Sequence, residues 1–337
     1  MICVKTIDAH AAGEPLRLIV DGFPSPRGKT MLEKREWVRK HADHLRRALM
    51  LEPRGHADMY GAILTEPVLP GSHAGVLFMH NEGYSTMCGH GIIAVTTMAL
   101  ERGLLMPGGD GTTVVYDAPA GTVRARARVA GASEPGGVVR VDSVAFLNVP
   151  SFVLHAGLAV KLASRTVRAD VAFGGAFYAI VDSESVGLPI DVAHLPELRR
   201  AGMEIKHAIE AHHAIAHPAE PGLKDIYGTI FTGPPNHRLA DLRNVTIFAD
   251  AEVDRSPCGT GTAAVMAVVD AMGLLADDKP FVHESLIGTT FNGRVASRTA
   301  VGELPAIVPE IEGSAWITGE HTFVVDERDP LRDGFRI

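Results

Sequence analysis

The chain has 337 residues, 46% of them hydrophobic, and a formal charge of -8, which suggests about two domains with ample apolar residues for their cores. Its acidity is mild and dispersed, which leaves no electrostatic footprint for nucleic acid, and no stretch reaches the roughly 18 apolar residues of a membrane span. The start, Met1-Ile2-Cys3-Val4-Lys5-Thr6, lacks the basic-then-apolar order of a signal peptide, and three cysteines, an odd number, point to a reducing cytosol without a disulfide framework.

Cys3 sits in the apolar run Ile2-Cys3-Val4 and is expected as a strand residue packed in a core. Leu32 to Leu51 mixes Arg, Lys and His with spaced apolar residues and reads as a surface helix. Ile92 to Leu100 is almost wholly apolar, the mark of a helix buried on all sides, and Gly103 suits its left-handed C-terminal position. Pro107 to Gly111 is Gly-rich but lacks the Lys-Ser/Thr of a phosphate loop, so it reads as a turn. Val114 to Tyr116, Thr122 to Val129 and Val138 to Val141 read as strands. Arg124, Arg126 and Arg128 alternate with Val123, Ala125 and Ala127, as on a strand with one wet face.

A boundary is placed at Asn148-Val149-Pro150, giving domains 1–148 and 149–337; whether the C-terminal tail returns to the first domain stays open. Val171 to Val181 and Val245 to Ala249 look like further strands, and Leu195 to His217 like a helix. His213 and His217, four apart, would share a face of it, but no carboxylate or cysteine completes a metal motif, and no metal is expected. Ala263 to Met272 is a second apolar helix, stopped at Gly273. Thin strands wrapped around each apolar helix give an α/β (α+β) fold of two similar domains. Each is a curved, mostly antiparallel sheet around a central buried helix.

A repeated motif precedes both apolar helices. Cys88-Gly-His-Gly-Ile-Ile-Ala-Val and Cys258-Gly-Thr-Gly-Thr-Ala-Ala-Val share Cys-Gly-x-Gly-x-x-Ala-Val. Both run on in register to Gly-Leu-Leu, at Gly103 and at Gly273. A helix N-terminus carries unpaired N–H groups and partial positive charge. It lowers a cysteine's pKa and binds anions such as a carboxylate. Two such units facing one another would hold a carboxylate with a sulfur on each side of the adjacent carbon. One thiolate base and one thiol acid could then move a proton from one face of Cα to the other. No cofactor is required, because the helix ends stabilise the developing charge. Both copies also fit a Gly-x-Gly-x-x-Ala dinucleotide fingerprint, but its acidic partners, Asp110 and Asp277, fall in turn-like stretches. Packed structural cysteines are the bland alternative, weakened by the repetition and by the polar neighbours His90, Asp254, Arg255 and Ser256. A cysteine hydrolase would need a histidine partner, and 16 histidines make any nomination uninformative.

Gly83-Tyr84-Ser85-Thr86-Met87-Cys88-Gly89-His90-Gly91 and Asp254-Arg255-Ser256-Pro257-Cys258-Gly259-Thr260-Gly261-Thr262 resemble the two signatures of the proline racemase superfamily. The likeness extends to Gly13-Glu14-Pro15, Glu52-Pro53-Arg54-Gly55, Glu284-Ser285 and Gly293-Arg294-Val295. The superfamily comprises proline racemase, 4-hydroxyproline 2-epimerase and trans-3-hydroxy-L-proline dehydratase. Its fold, shared with diaminopimelate epimerase, has two similar α/β domains with the active site between them. The resemblance implies that Cys88 and Cys258 are the proton-transfer pair. It implies that Gly89, His90, Gly259 and Thr260 hold the substrate carboxylate, largely through backbone N–H groups, and that Asp254 accepts a hydrogen bond from the ring ammonium. The implied partner is a small imino acid, proline or hydroxyproline. The number of chains in the assembly, a homodimer among the options, stays open.

Which reaction follows is divided. The dehydratase of this family typically carries Thr in place of the second cysteine, so Cys258 favours epimerisation. Arg54 to Gly61, Asp225 to Thr229 and Asp329 to Phe335 look more like the dehydratase branch. The 4-hydroxyproline epimerases usually place a His near Tyr227, and His10-Ala11-Ala12-Gly13 departs from their His-Thr-Gly-Gly. The catalytic pair limits which proton transfers are possible, so the expectation is a two-cysteine racemase or epimerase at Cα. The alternative is a trans-3-hydroxy-L-proline dehydratase giving pyrroline-2-carboxylate. A rival of another class is a non-catalytic binder of imino acids.

Overall fold

The computed structural model describes residues 1–106, 112–130, 139–163, 165–276 and 279–337. The expected turn Pro107 to Gly111, the acidic residues Asp110 and Asp277, and Val138 at the head of one expected strand lie outside them. The chain divides into two compact units, Met1–Phe146 with Gly313–Ile337, and Leu147–Glu312. The C-terminal segment is thus part of the first unit. Its strand Ala315–Val325 runs antiparallel to the first strand of the chain, with Ala11 opposite Ala315 and Ile2 opposite Val325.

The first unit runs β1 (Ile2–Ala11), β2 (Glu14–Asp21), α1 (Met31–His41), α2 (Asp43–Met50), β3 (Tyr60–Thr65), β4 (Ala74–His80), β5 (Tyr84–Ser85), α3 (Gly89–Glu101), β6 (Thr113–Ala118), β7 (Gly121–Ala130) and β8 (Arg140–Leu147). Neighbouring strands pair antiparallel except β2 with β3 and β4 with β6. A parallel pair needs a crossover connection. The pair α1 and α2 supplies one, and α3 is part of the other. From Gly89 to Leu100 every residue of α3 is buried, against β1, β2, β3, β7 and the C-terminal strand. A helix of Ile, Val, Ala, Met and Leu with no polar face has no other stable place.

The second unit repeats this plan. It runs β9 (Ser151–Lys161), β10 (Thr166–Phe173), β11 (Phe177–Asp182), α4 (Ser183–Val186), α5 (Leu195–Glu210), β12 (Ile226–Gly233), β13 (Leu242–Phe248), β14 (Glu252–Asp254), α6 (Gly259–Ala271), β15 (Phe281–Glu284), β16 (Thr290–Val301) and β17 (Leu304–Gly313). The parallel pairs are β11 with β12 and β13 with β15, the places of β2–β3 and β4–β6 in the first unit. Here β17 also pairs with β9, which closes the sheet around α6. Duplication therefore reaches the whole strand ladder, well beyond the cysteine motif. The two helix stops are alike as well. Gly103 and Gly273 have φ of 64° and 70°, and the next N–H reaches back to close the last turn, Leu104 to the Ala99 carbonyl at 2.8 Å and Leu274 to Val269 at 3.0 Å.

Several expectations need correction. Cys3 lies on β1 but is exposed, because strand alternation turns Val4 inward and Cys3 and Lys5 outward. The helix over Leu32 to Leu51 is two helices broken at Ala42 (φ -133°, ψ 12°), each with one exposed and one buried face. Lys34 and Arg46 are buried, with Arg46 bonded to Asp43 at 2.6 Å and to the His80 carbonyl at 2.9 Å. Val171 to Val181 is a hairpin, turned between Phe173 and Phe177 by Gly174 and Gly175. The helix from Leu195 ends at Glu210, so His213 and His217 share no helix face. His217 instead packs edge-on against Phe152 and Phe173. The wet face of β7 is as expected, with Arg124, Arg126 and Arg128 exposed between buried Val123, Ala125 and Ala127.

One buried cation ties the first unit together. Arg17 on β2 meets Asp8 on β1 at 2.8 Å and donates to the Leu49 and Arg54 carbonyls at 2.7 and 2.6 Å, while its guanidinium lies over the Phe323 ring. Arg17→Ala leaves Asp8 and two carbonyls without that partner. A loss of about 3–5 kcal/mol in urea unfolding is expected, as for any half-removed buried ion pair.

Candidate active site

Cys88 is the N-cap of α3 and is 4% exposed; Cys258 is the N-cap of α6 and is 6% exposed. Each sulfur accepts the N–H three residues on, from Gly91 and from Gly261, at 3.3 Å in both cases. The capping position, usually held by Ser, Thr, Asp or Asn, is here held by a cysteine sulfur. The second glycine of the motif follows from this contact. A Cβ at Gly91 would stand 2.9 Å from the Cys88 sulfur and 2.4 Å from the Phe78 ring, and a Cβ at Gly261 would stand 2.9 Å from the Cys258 sulfur.

Beyond the cap the two sulfurs differ. Cys88 lies 3.2 Å from Nδ1 of His90, two residues on in the first turn of the same helix. The His90 ring is met edge-on by Tyr60, whose hydroxyl donates to Ser85 Oγ at 2.7 Å. An imidazole and a helix N-terminus both favour a thiolate at Cys88. Cys258 has no imidazole among the partners recorded for it. Its sulfur is 3.7 Å from the Tyr178 hydroxyl and 3.8 Å from Thr260 Oγ1, and those two oxygens are 2.7 Å apart. Burial, then the neighbouring Asp254 carboxylate, pushes the Cys258 thiol well above the ordinary range; the Tyr178 and Gly261 hydrogen bonds pull the other way and lose.

Asp254 ends β14 beside Cys258. Its Oδ1 accepts from Ser256 N–H at 2.8 Å and Ser256 Oγ at 2.7 Å, and Ser256 Oγ accepts the Cys258 N–H at 3.1 Å. Burial raises the Asp254 carboxyl to about 6 against the pull of those bonds. The backbone at Cys258 is itself unusual, with φ of 61°, whereas Cys88 is extended at -146°. Such a conformation in a non-glycine residue costs about 1–3 kcal/mol and persists only where surroundings hold it. Here the preceding carbonyl, of Pro257, accepts from Thr262 Oγ1 at 3.1 Å and Asn244 Nδ2 at 3.2 Å. Thr262 in turn meets Nδ1 of His283, a ring that burial keeps neutral by pushing it down to about 3.

Unit one thus brings together Cys88, Gly89 and His90, and unit two Asp254, Cys258, Gly259 and Thr260. The sequence reading named Ser256 as a polar neighbour of the cysteines but missed Tyr60, Ser85 and Tyr178 as members of these clusters. Tyr60 had a signal: Asp58-Met59-Tyr60-Gly61-Ala62-Ile63 and Asp225-Ile226-Tyr227-Gly228-Thr229-Ile230 are a second internal repeat, with both aspartates at left-handed φ of 61° and 65°. Tyr178 had none, because the β10–β11 hairpin that delivers it was read as one stretch. Among the described residues no three His, Cys, Asp or Glu cluster as a metal site would require.

The proline racemase family pattern matches residues 6–336. The chain belongs to the proline racemase family. This family member is 51% identical over 330 residues to a trans-3-hydroxy-L-proline dehydratase of Bacillus cereus, covering 98% of this chain and 97% of that one. It is 46% identical over 335 residues to a 3-hydroxyproline 2-epimerase of Burkholderia multivorans, covering 99% and 98%. Among solved structures, a hydroxyproline epimerase from Agrobacterium vitis with bound trans-4-OH-L-proline matches with a TM-score of 0.89 at 30% identity, over 100% of this chain and 95% of that one. The fold is accordingly the mixed α/β fold of the proline racemase type.

The capping contact makes a prediction for this family member. Gly91→Ala should cost about 1–3 kcal/mol in urea unfolding, as overpacking does. It should also slow alkylation of Cys88 relative to Cys258 in the same chain, followed by mass spectrometry. An unchanged ratio would mean that the Gly91 N–H does not govern the sulfur.

Proposed function

We propose that the protein is a trans-3-hydroxy-L-proline dehydratase. It removes the Cα proton and the 3-hydroxyl, releasing water and a cyclic enamine that tautomerises to the imine pyrroline-2-carboxylate. What supports this most is the 51% identity, over 98% of the chain, to the Bacillus cereus protein of that name. The order of preference is therefore the reverse of the one read from the cysteine pair. A thiol pair limits which protons can move, but it does not say whether the bond to the 3-oxygen breaks.

The substrate's stereochemistry suits a single base. In the trans isomer the Cα hydrogen and the 3-hydroxyl lie on the same face of the ring. One thiolate can take the Cα proton and pass it to the departing oxygen; the C–O bond breaks, water leaves and the thiolate is restored. Cys88 is assigned this role, because the α3 N-terminus and His90 Nδ1 at 3.2 Å both favour its thiolate. Backbone N–H groups at Gly89, His90, Gly259 and Thr260 hold the carboxylate and stabilise charge that spreads onto it as the proton leaves. Ionised Asp254 accepts from the ring ammonium.

The second reading is inversion at Cα, of 3-hydroxyproline or proline. What favours it is the second thiol at Cys258, which burial biases toward its protonated form and so toward supplying a proton. The third, a carboxylate binder without turnover, uses the helix N-termini alone.

Proton NMR in deuterated water separates the three, with trans-3-hydroxy-L-proline, trans-4-hydroxy-L-proline and L-proline incubated in turn. Dehydration of the first substrate is expected. Inversion with deuterium uptake and no imine would sink the dehydratase, and saturable binding without exchange would leave only the binder. Cys88→Ser is expected to lower dehydration about 10²–10⁴-fold, the usual size of a general-base contribution. Cys258→Ser should keep dehydration within about tenfold and abolish any inversion.

The pH dependence has a definite sign. Asp254 must be ionised to receive the ammonium, and its carboxyl is raised to about 6, so kcat/KM should fall as pH drops through about 6. A rate profile flat from pH 5 to 8 (roughly a unit either side of that midpoint or more) would remove Asp254 from this role.

A further inference from the structure

Tyr178 stands where the sequence offered no candidate. It is fully buried on β11, and its hydroxyl is 2.7 Å from Thr260 Oγ1 and 3.7 Å from Cys258 Sγ. The first unit has no counterpart to it. In the parallel β11–β12 ladder Tyr178 is opposite Gly228, while in the corresponding β2–β3 ladder Arg17 is opposite Gly61. Arg17 spends its guanidinium on Asp8 and backbone carbonyls, and Cys88 has His90 beside it instead. A phenol at this register position is thus specific to the second unit, while on the Cys88 side Tyr60 comes from β3 and meets His90 edge-on.

We infer that Tyr178 is a positioning residue for Cys258, acting through Thr260. In this relay the phenol serves as donor to Thr260 Oγ1, 2.7 Å away, and this orients the threonine hydroxyl so that its own proton points toward the sulfur, 3.8 Å away. Thr260 could otherwise turn about χ1 and bond elsewhere in its helix, as threonines do. The relay stabilises Cys258 whenever its sulfur carries charge, against the burial and the Asp254 carboxylate that oppose it. The other groups that bear on this pair are Arg255, whose charge acts on Asp254, and Tyr227, whose ring meets that of Tyr178 edge-on at 5.9 Å. Burial holds the Tyr178 phenol far above the usual tyrosine range, so it stays a donor across accessible pH. The inference rests on the reading of Cys258 and Thr260 as site residues, but not on which substrate is turned over.

The test reads the sulfur directly. Tyr178→Phe, Thr260→Val and the double variant are alkylated with iodoacetamide between about pH 7 and 10, and the rate is read as a measure of thiolate fraction. Peptide mass spectrometry follows Cys258 and Cys88 separately, so that Cys88 is the reference within each molecule. Loss of a hydrogen bond to a charged group predicts about a tenfold fall in the Cys258-to-Cys88 rate ratio for Tyr178→Phe. Thr260→Val should give a similar fall, and the double variant no more than either alone. An unchanged ratio in a folded Tyr178→Phe protein overturns the inference. So do additive effects in the double variant, which would mean that Tyr178 acts without Thr260, and an equal slowing of both cysteines, which would mark a merely structural role. If Tyr178→Phe does not fold, Thr260→Val alone decides, because an unchanged ratio there removes the relay. Absence of turnover with 3-hydroxyproline would count against the proposed reaction and leave this measurement intact.

Discussion

The contact on which each unit's cysteine cluster depends is a backbone N–H donated to a cysteine sulfur at the head of a buried helix. It recurs at 3.3 Å from Gly91 to Cys88 and from Gly261 to Cys258. Around it the rest of each unit is arranged. The helix must be apolar to lie inside a wrapped sheet, and its N-terminus must stay accessible to a ligand for its N–H groups to be of use. The residue three after the cysteine must lack a side chain, since a Cβ there would meet the sulfur. The helix serves at once as core, as crossover between parallel strands, and as the source of positive potential at the thiol.

Duplication supplied two such heads, and divergence made them unequal. Cys88 has an extended backbone, an imidazole at 3.2 Å and a tyrosine edge behind that imidazole. Cys258 has a left-handed backbone held by hydrogen bonds from both sides of its peptide, a carboxylate nearby, and hydroxyls as its polar contacts. In the second environment burial and the Asp254 carboxylate favour keeping the proton. A dehydration that needs one base at Cα is consistent with that inequality. It also leaves a protonated thiol available, which is the chemical connection between a dehydratase and an epimerase built on one plan.

That connection explains why the cysteine count alone does not choose between the two reactions. Both reactions begin by removing the same Cα proton, and they part only at the second bond change. Stretches outside the motif, such as Asp225 to Thr229, already leaned toward the dehydratase, and the similarity over 98% of the chain leans the same way.

From its sequence this chain determined the duplication, the two apolar helices with their glycine stops, the capping cysteines and the polar residues next to them. All of these are local in the chain, where spacing and periodicity carry the information. Long-range strand pairing decided the rest. The return of Ala315–Val325 to β1, the break at Ala42, the exposure of Cys3 and the end of α5 at Glu210 depend on which surfaces meet, and no short window records that. Tyr178 shows the difference most plainly. It is 80 residues from Cys258 along the chain, and only the β10–β11 hairpin and the packing of α6 bring its hydroxyl to that sulfur. Sequence proximity could name the two nucleophiles, but what distinguishes one from the other comes from side chains delivered across the sheet.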